Sequence, residues 1–307
     1  MNDFIALFIL ILPIFIIIFV GLFLRLTGVV DDHFNRISNK IVFNVALPVF
    51  IFQSLAQYDF SQAFDYKLIL YTSAGTLTFF VLAWIIGSAL KLKSYDMGVF
   101  VQGSFRGNYA IVGLAIILSV AGESQLQKAA ILLAFALPLF NILSVIALSY
   151  PNKETDSSYI KQIITNPLIL AVVASLPFNF FNIHLPMFIG SSINYLSALT
   201  LPLALINIGA SMHFESFRYP TLELILASSM KALFQPLLFT LLGIFLGFPQ
   251  DDLIQIFVFF SVPTAIASYV MSDAMGRNSK FAGNIIIITT LVSIITMPVG
   301  IYLIHLL

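Results

Sequence analysis

The sequence predicts an all-α integral membrane protein of ten transmembrane helices, built as two inverted five-helix repeats whose fourth and ninth helices are broken near mid-membrane. Three observations carry that prediction. Hydrophobic residues make up 60% of the 307-residue chain and charged residues 9%, whereas a soluble domain carries about 25% charge; the mean hydropathy is +1.02. The apolar residues fall into ten stretches of about 18 to 28 residues, against the ~20 needed to cross a bilayer. Two short polar stretches, Gln102-Gly103-Ser104-Phe105-Arg106-Gly107-Asn108 and Ser261-Val262-Pro263-Thr264-Ala265, interrupt two of those stretches at corresponding places in the two halves. Lipid offers no partner to a freed backbone N–H or C=O, so such breaks persist only beside protein or a polar cavity, and paired breaks point to a transporter binding site.

Taken in order, span 1 (4–24) follows Asp3 and ends at Arg25, with no basic leader and no small-residue cleavage site, so it is a helix and not a signal peptide. Span 2 (36–57) carries Leu47-Pro48 and the polar residues Asn44, Gln53 and Ser54. Span 3 (66–90) is uninterrupted, span 4 (97–121) holds the first break, and span 5 (127–149) holds Asn141 and Ser144. Pro151 to Lys161 is the only connection of any size and divides the chain into a first repeat (1–150), a linker (151–163) and a second repeat (164–307). Span 6 (164–182) begins with Pro167, and span 7 (191–212) carries Leu201-Pro202, Asn207 and Ser211. Span 8 (221–248) contains Lys231 and the kinking Pro236, span 9 (252–275) the second break, and span 10 (281–306) Thr289, Thr290 and Ser293. Polar side chains within spans most often bond neighbouring helices, at about 0.6 kcal/mol each. The 31 phenylalanines are expected on packing and lipid-facing surfaces.

Lysine and arginine concentrate in cytoplasmic loops, which tests the count. Of the 14 basic residues, Arg25, Arg36, Lys40, Lys91, Lys93, Lys153, Lys161, Arg218, Arg277 and Lys280 fall on one side of the ten-span arrangement and only Lys67 and Lys128 on the other, with Arg106 and Lys231 inside spans. Both termini are therefore expected on the non-cytoplasmic side. Pro13 and Pro167 are 154 residues apart, as are Pro48 and Pro202, and the two breaks align within three residues of that offset. Five helices per half is an odd number, so the second half enters the membrane with opposite polarity.

At the first break Gly107 supplies permissive dihedrals and Asn108 a side-chain amide; at the second, Pro263 removes an N–H. Free N–H groups are expected around Tyr109 to Val112 and Thr264 to Ala267, so that two helix N-termini converge as an anion site. Arg106 and Lys231, each costing about 2.5–3.5 kcal/mol at mid-membrane, read in two ways: attraction of a substrate carboxylate, or neutralisation of the half-helix carbonyls at the same breaks. Asn141, mid-span and the only amide of span 5, joins the candidates.

No aspartate or glutamate lies deep in a span; Asp96, Glu123, Glu223, Asp251, Asp252 and Asp273 are all near predicted ends. A midplane carboxylate relay is therefore not expected. His33, His184, His213 and His305 lie in loops or at ends, there is no cysteine, and no zinc-protease, phosphate-loop or nucleotide motif occurs. No enzyme activity, metal or cofactor is expected, and a zero net charge gives no nucleic-acid reading.

Over its full length the chain resembles the auxin efflux carrier family of permeases, within the bile-acid/arsenite/riboflavin transporter superfamily. The resemblance rests on Asn39-Lys40-Ile41-Val42-Phe43-Asn44-Val45-Ala46-Leu47-Pro48, on Gln102 to Asn108 with Gly113, on Leu201-Pro202 with Ile208-Gly209-Ala210-Ser211, and on Ser261 to Ala265 with Lys231 upstream. It implies a fold like that of sodium–proton antiporters, with helices 4 and 9 unwound and crossing beside the substrate. It also implies a scaffold domain of helices 1, 2, 6 and 7, a transport domain of helices 3, 4, 5, 8, 9 and 10 moving as an elevator, and a homodimer. Bacterial members of that family are carriers of malonate, malate and similar organic anions, and plant members export indole-3-acetate. The family asparagine at the crossing maps onto Asn108 and a polar helix 5 contact onto Asn141; Arg106, Gly107, Tyr109, Pro263, Thr264 and Ala265 complete the expected substrate site.

The sequence departs from the plant pattern in placing Gly107 where those proteins have proline, in lacking an acidic residue in span 3, and in its short central linker. The first two departures argue against auxin itself and against coupling through that acid, and the short linker leaves out the regulatory loop of many plant members. The expectation is a secondary carrier of small organic anions in a bacterial cytoplasmic membrane, the alternatives being a sodium-coupled symporter of the bile-acid type and a non-transporting sensor or channel.

Overall fold

In the computed structural model the chain is described over residues 2–56, 64–150, 167–181, 183, 185–212 and 221–307. The linker from Pro151, the basic residues Lys153, Lys161 and Arg218, and His184 and His213 lie outside the described residues. The elements are α1 (Asn2–Leu26), α2 (Asp32–Ile41), α3 (Leu47–Ala56), α4 (Tyr66–Ala89), α5 (Ser94–Phe105), α6 (Leu114–Ser149), α7 (Pro167–Phe180), α8 (Met187–Ala210), α9 (Leu222–Ser229), α10 (Gln235–Phe245), α11 (Gln250–Ser261), α12 (Ala267–Ala274) and α13 (Ser279–His305). Among the described residues there is no strand, only one isolated β-bridge, between Gly107 and Thr264.

Helix ends follow from local chemistry. Asp31, Asp65, Thr221 and Asn278 each accept a backbone N–H with their side chain at the start of α2, α4, α9 and α13. Gly28 after α1 and Gly247 after α10 sit at φ +75° and +73°, the left-handed position that closes a helix by returning N–H groups to its last carbonyls. There Val29 N–H reaches the Leu24 carbonyl and Phe248 N–H the Gly243 carbonyl.

Wide i→i+5 turns join α2 to α3 (Val42–Ala46) and α9 to α10 (Met230–Phe234). Each ends two residues before a proline, Pro48 or Pro236. A proline cannot bond the carbonyl four residues back and its ring crowds it; that carbonyl belongs to Asn44 or Ala232, mid-turn in each case, and the wider turn relieves the conflict.

Among the described residues, seven stretches are long and apolar enough to cross a membrane: Phe4–Leu26, Asp32–Ala56, Tyr66–Ala89, Tyr109–Ser149, Met187–Ala210, Leu222–Phe245 and Ser279–His305. The breaks account for part of the difference from ten: span 9 is divided into α11 and α12, and span 4 is divided so that its second part runs on into span 5 through a kink at Gly122, φ +77°. Predicted span 6 (164–182) lies partly outside the described residues, which hold its stretch Pro167–Phe180 as α7. Outward faces carry Phe23, Tyr195 and Phe245 at 63–84% exposure, a large apolar surface suited to lipid.

Backbones meet closely where α1 lies against α8. A Cβ on Gly21 would stand 2.1 Å from the Ile206 carbonyl oxygen, and one on Gly209 1.8 Å from that of Ile18. Close approach through small residues is how membrane helices gain packing without a hydrophobic drive. Polar side chains also tie these helices: Asn35 donates to Ser211 Oγ (2.7 Å) and Asn207 to Asn39 Oδ1 (3.2 Å) between α2 and α8. Gln53 donates to Asn194 Oδ1 (2.5 Å) between α3 and α8. α7 packs on α3, while α4, α6, α9, α10 and α13 pack around α5 and α11, whose inner ends form the site below.

Candidate functional site

α5 and α11 are 12 residues each, about 18 Å long, and both stop at the polar stretches. Beyond α11 the cause is Pro263, which disfavours helix in the residue before it; Val262 is extended at φ −54°, ψ 144°. Beyond α5 there is no proline, and Arg106 (φ −82°, ψ 107°) leads through Gly107 to Asn108 (φ −84°, ψ 53°). The two extended segments run antiparallel. Asn108 N–H donates to the Pro263 carbonyl at 2.8 Å and Ala265 N–H to the Arg106 carbonyl at 3.1 Å, so each break satisfies groups that the other leaves free. Gly107 is required by this approach: a Cβ there would lie 2.7 Å from Val262 Cγ2 and 3.2 Å from Lys231 Nζ.

The ends of the two first halves are capped by side chains. Lys231, fully buried, donates to the Phe260 carbonyl at 2.6 Å and to Gln235 Oε1 at 2.9 Å. Gln235 in turn donates from Nε2 to the Phe105 carbonyl at 3.4 Å. One turn of helix thus serves the C-terminal carbonyls of both α5 and α11, where the helix dipole favours a cation. Thr264 Oγ1 donates to the Gly103 carbonyl at 2.8 Å, and its N–H reaches Thr289 Oγ1 at 3.0 Å. Of the two readings open for Lys231, its contacts match carbonyl neutralisation.

Arg106 behaves differently. Its guanidinium is directed away from the carbonyl ends: Nη1 donates to Ser144 Oγ (2.9 Å) and Met271 Sδ (2.9 Å), and Nη2 to Asn141 Oδ1 (2.8 Å). The residue is 5% exposed, and every one of these partners is neutral. Among the described residues neither Arg106 nor Lys231 pairs with a carboxylate; the ion pairs there are Arg25–Asp32, Lys128–Asp65 and Lys128–Asp252. A buried cation without a counter-ion is costly, and the same arrangement draws anions.

Asn108 is 6% exposed, and its side-chain amide makes no hydrogen bond to the described protein. Beside it, Tyr109 and Ala110 begin the next helical segment (Tyr109–Gly113, then α6), and Ile266 and Ala267 begin the segment around α12. None of these four amides has a carbonyl one turn back in its own helix. Unpaired N–H groups and the positive ends of two helix dipoles therefore gather at the crossing.

The structure brings together Arg106, Gly107, Asn108, Pro263, Thr264 and Ala265, sets Lys231 against Gly107, and connects Asn141 through Arg106. The Tyr109 side chain is directed elsewhere: its hydroxyl donates to Gln255 Oε1 at 2.9 Å and its ring packs on Phe259 with centroids 4.9 Å apart, leaving only its backbone amide at the break. Gln235, Gln255 and Met271 escaped the sequence reading. Only Gln235 carried a signal, standing one turn after Lys231 on the same helix face. A separate cavity of about 290 Å³, lined by Asp31, His33, Phe34, Ile37, Ser38, Ile41 and Leu203, lies at α2, away from the crossing.

Comparison with known proteins adds the following. Residues 6–301 match the membrane transport protein family. An uncharacterized transporter of Methanocaldococcus jannaschii is 25% identical over 294 residues, covering 94% of this chain and 95% of the relative. A second, from Methanothermobacter thermautotrophicus, is 24% identical over 291 residues, with 94% and 95% covered. A Rhizobium meliloti protein provisionally named as a malonate transporter is 26% identical over 310 residues, with 96% and 95% covered.

Proposed function

This chain belongs to the auxin efflux carrier family of membrane transport proteins, and we propose that it is a secondary carrier of small organic anions, binding a carboxylate where the two broken helices meet. The observation that carries this reading is the Arg106 guanidinium, buried beside the crossing on neutral partners only. With Asn108 and the open amides of Tyr109 and Ala110 it forms a donor set with no acid to neutralise it. Short dicarboxylates such as malonate, the compound in the name of the Rhizobium relative, suit a buried guanidinium set beside two helix N-termini.

A ten-span inverted repeat, with both termini outside a cytoplasmic membrane, accounts for the two half-length helices and the reciprocal pairing at the breaks. The close union of α1 with α8 and of α2 and α3 with α7 and α8 supports a rigid scaffold against which the remaining helices move as an elevator, in a homodimer. The binding step is tested by thermal shift of purified protein with acetate, malonate, succinate and indole-3-acetate, with and without sodium, since a ligand of the folded state raises apparent stability. Asn108→Ala is expected to weaken carboxylate binding about tenfold, the worth of a hydrogen bond to a charged group, with little change in the melting temperature without ligand. Silence of the cooperatively melting wild-type protein toward every carboxylate defeats the reading. Saturable counterflow of the bound anion in proteoliposomes separates a carrier from a channel or sensor.

A further inference from the structure

Two donors at the first break converge on one poor acceptor. Arg106 Nη1 lies 2.9 Å and Gln102 Nε2 3.7 Å from the thioether sulfur of Met271. Gln102 and Arg106 are four residues apart on one helix face, and Gln102 is fully buried. A guanidinium has five N–H groups; here three are engaged, one of them on sulfur, a weak acceptor. Nothing about packing alone requires two strong donors to meet at a half-buried methionine. A further hydroxyl, Ser268 Oγ, is buried without a partner three residues before Met271 on α12.

We propose that Gln102 joins Arg106 in one anion subsite on the flank of the crossing, and that the Met271 sulfur stands in it where an oxygen of the cargo's carboxylate goes. Met271 is then a built-in weak competitor that sets affinity. In the empty carrier it gives the buried donors a partner, and it yields because a carboxylate accepts from guanidinium far better, in bidentate fashion. Asn141, on Nη2, and Ser144, which shares Nη1 with the sulfur, are positioning residues that hold the guanidinium while the sulfur leaves. This inference rests on the anion-carrier reading and deepens it by assigning the affinity-setting residue.

The test is the dissociation constant of malonate, with acetate as the single-carboxylate comparison, for wild type, Met271→Leu, Met271→Gln, Gln102→Leu and Asn108→Ala. Met271→Leu keeps the volume and removes the acceptor, so malonate binds about three- to tenfold tighter. Met271→Gln puts a stronger acceptor against Arg106, so binding weakens about tenfold or more; Gln102→Leu weakens it by removing a donor. Both Met271 variants are read at melting temperatures near wild type, as a methionine-to-leucine exchange is mild and the glutamine sits at a half-buried position. Opposite signs for the two variants support the subsite, because a packing role moves both the same way. Equal or same-signed effects overturn it, while weaker binding in Asn108→Ala leaves the crossing site standing. No carboxylate binding by wild type overturns the carrier reading and this subsite together.

Discussion

Replacing Asn141 by aspartate changes one atom type at the point where Arg106 is anchored. The Asn141 carboxamide oxygen accepts from Nη2 at 2.8 Å, so a carboxylate oxygen of the same shape falls into the same bond and turns it into an ion pair. The guanidinium then has its counter-ion inside the protein. A carboxylate arriving at the other edge of the guanidinium meets that new charge at roughly 5 Å, and with an effective dielectric near 20 the repulsion is about 3 kcal/mol. At 1.36 kcal/mol per decade, anion affinity falls on the order of a hundredfold. The unliganded protein, by contrast, is not weakened: a hydrogen bond to a neutral amide becomes a charge-assisted pair, and the buried net charge drops by one. The assay is the melting temperature of Asn141→Asp and wild type across a titration of malonate. The expected result is an unchanged or higher melting point without ligand and a lost ligand-induced rise. A lower melting point with the wild-type response to malonate retained would mean that Arg106 is not the charge that attracts the anion.

Gln235→Leu leaves the Phe105 carbonyl and one Lys231 N–H without partners and is expected to destabilise the fold by about 2 kcal/mol, read as a fall in melting temperature that Gln235→Glu, which keeps an acceptor for Lys231, largely avoids. Gly209→Ala drives a Cβ to within 1.8 Å of the Ile18 carbonyl and should cost about 1–3 kcal/mol or more through overpacking. Gly190→Ala on the same helix meets nothing within 4 Å and serves as its control; equal melting of the two would contradict the α1–α8 contact.

Much of this arrangement is legible in the sequence because it depends on local chemistry. Pro263 and the Gly107-Asn108 pair announce the breaks, since each removes or relaxes what a helix needs, and the scarcity of charge announces the bilayer. The partners at the site are another matter. Arg106 joins residues 35, 38 and 165 positions away, and Gln255 meets Tyr109 146 positions away. Those pairings follow from how each helix is rotated about its axis once the breaks have docked, and periodicity in a uniformly apolar stretch does not encode rotation. Tyr109 illustrates the point: its place in the chain puts its amide at the crossing, while packing against Phe259 turns its side chain away. Lys231 is the converse: a cation inside a span left carbonyl neutralisation as one of two readings, and the Phe260 carbonyl supplies that reading's target.

The wide turns at Val42–Ala46 and Met230–Phe234 bear on how such chains diverge. Each takes up one residue more than an α-turn, so the residues that share a face are offset by one position, about 100° of helix numbering, from one side of the turn to the other. A turn of this kind can absorb a single-residue insertion inside a span. Related chains without a proline at the position of Pro48 or Pro236 should align with a one-residue gap inside those five positions, and their apolar faces should stay in register across it. Deleting one residue there, together with replacing the proline, is then a silent edit to the span, whereas the same deletion a turn away rotates every following side chain off its neighbour.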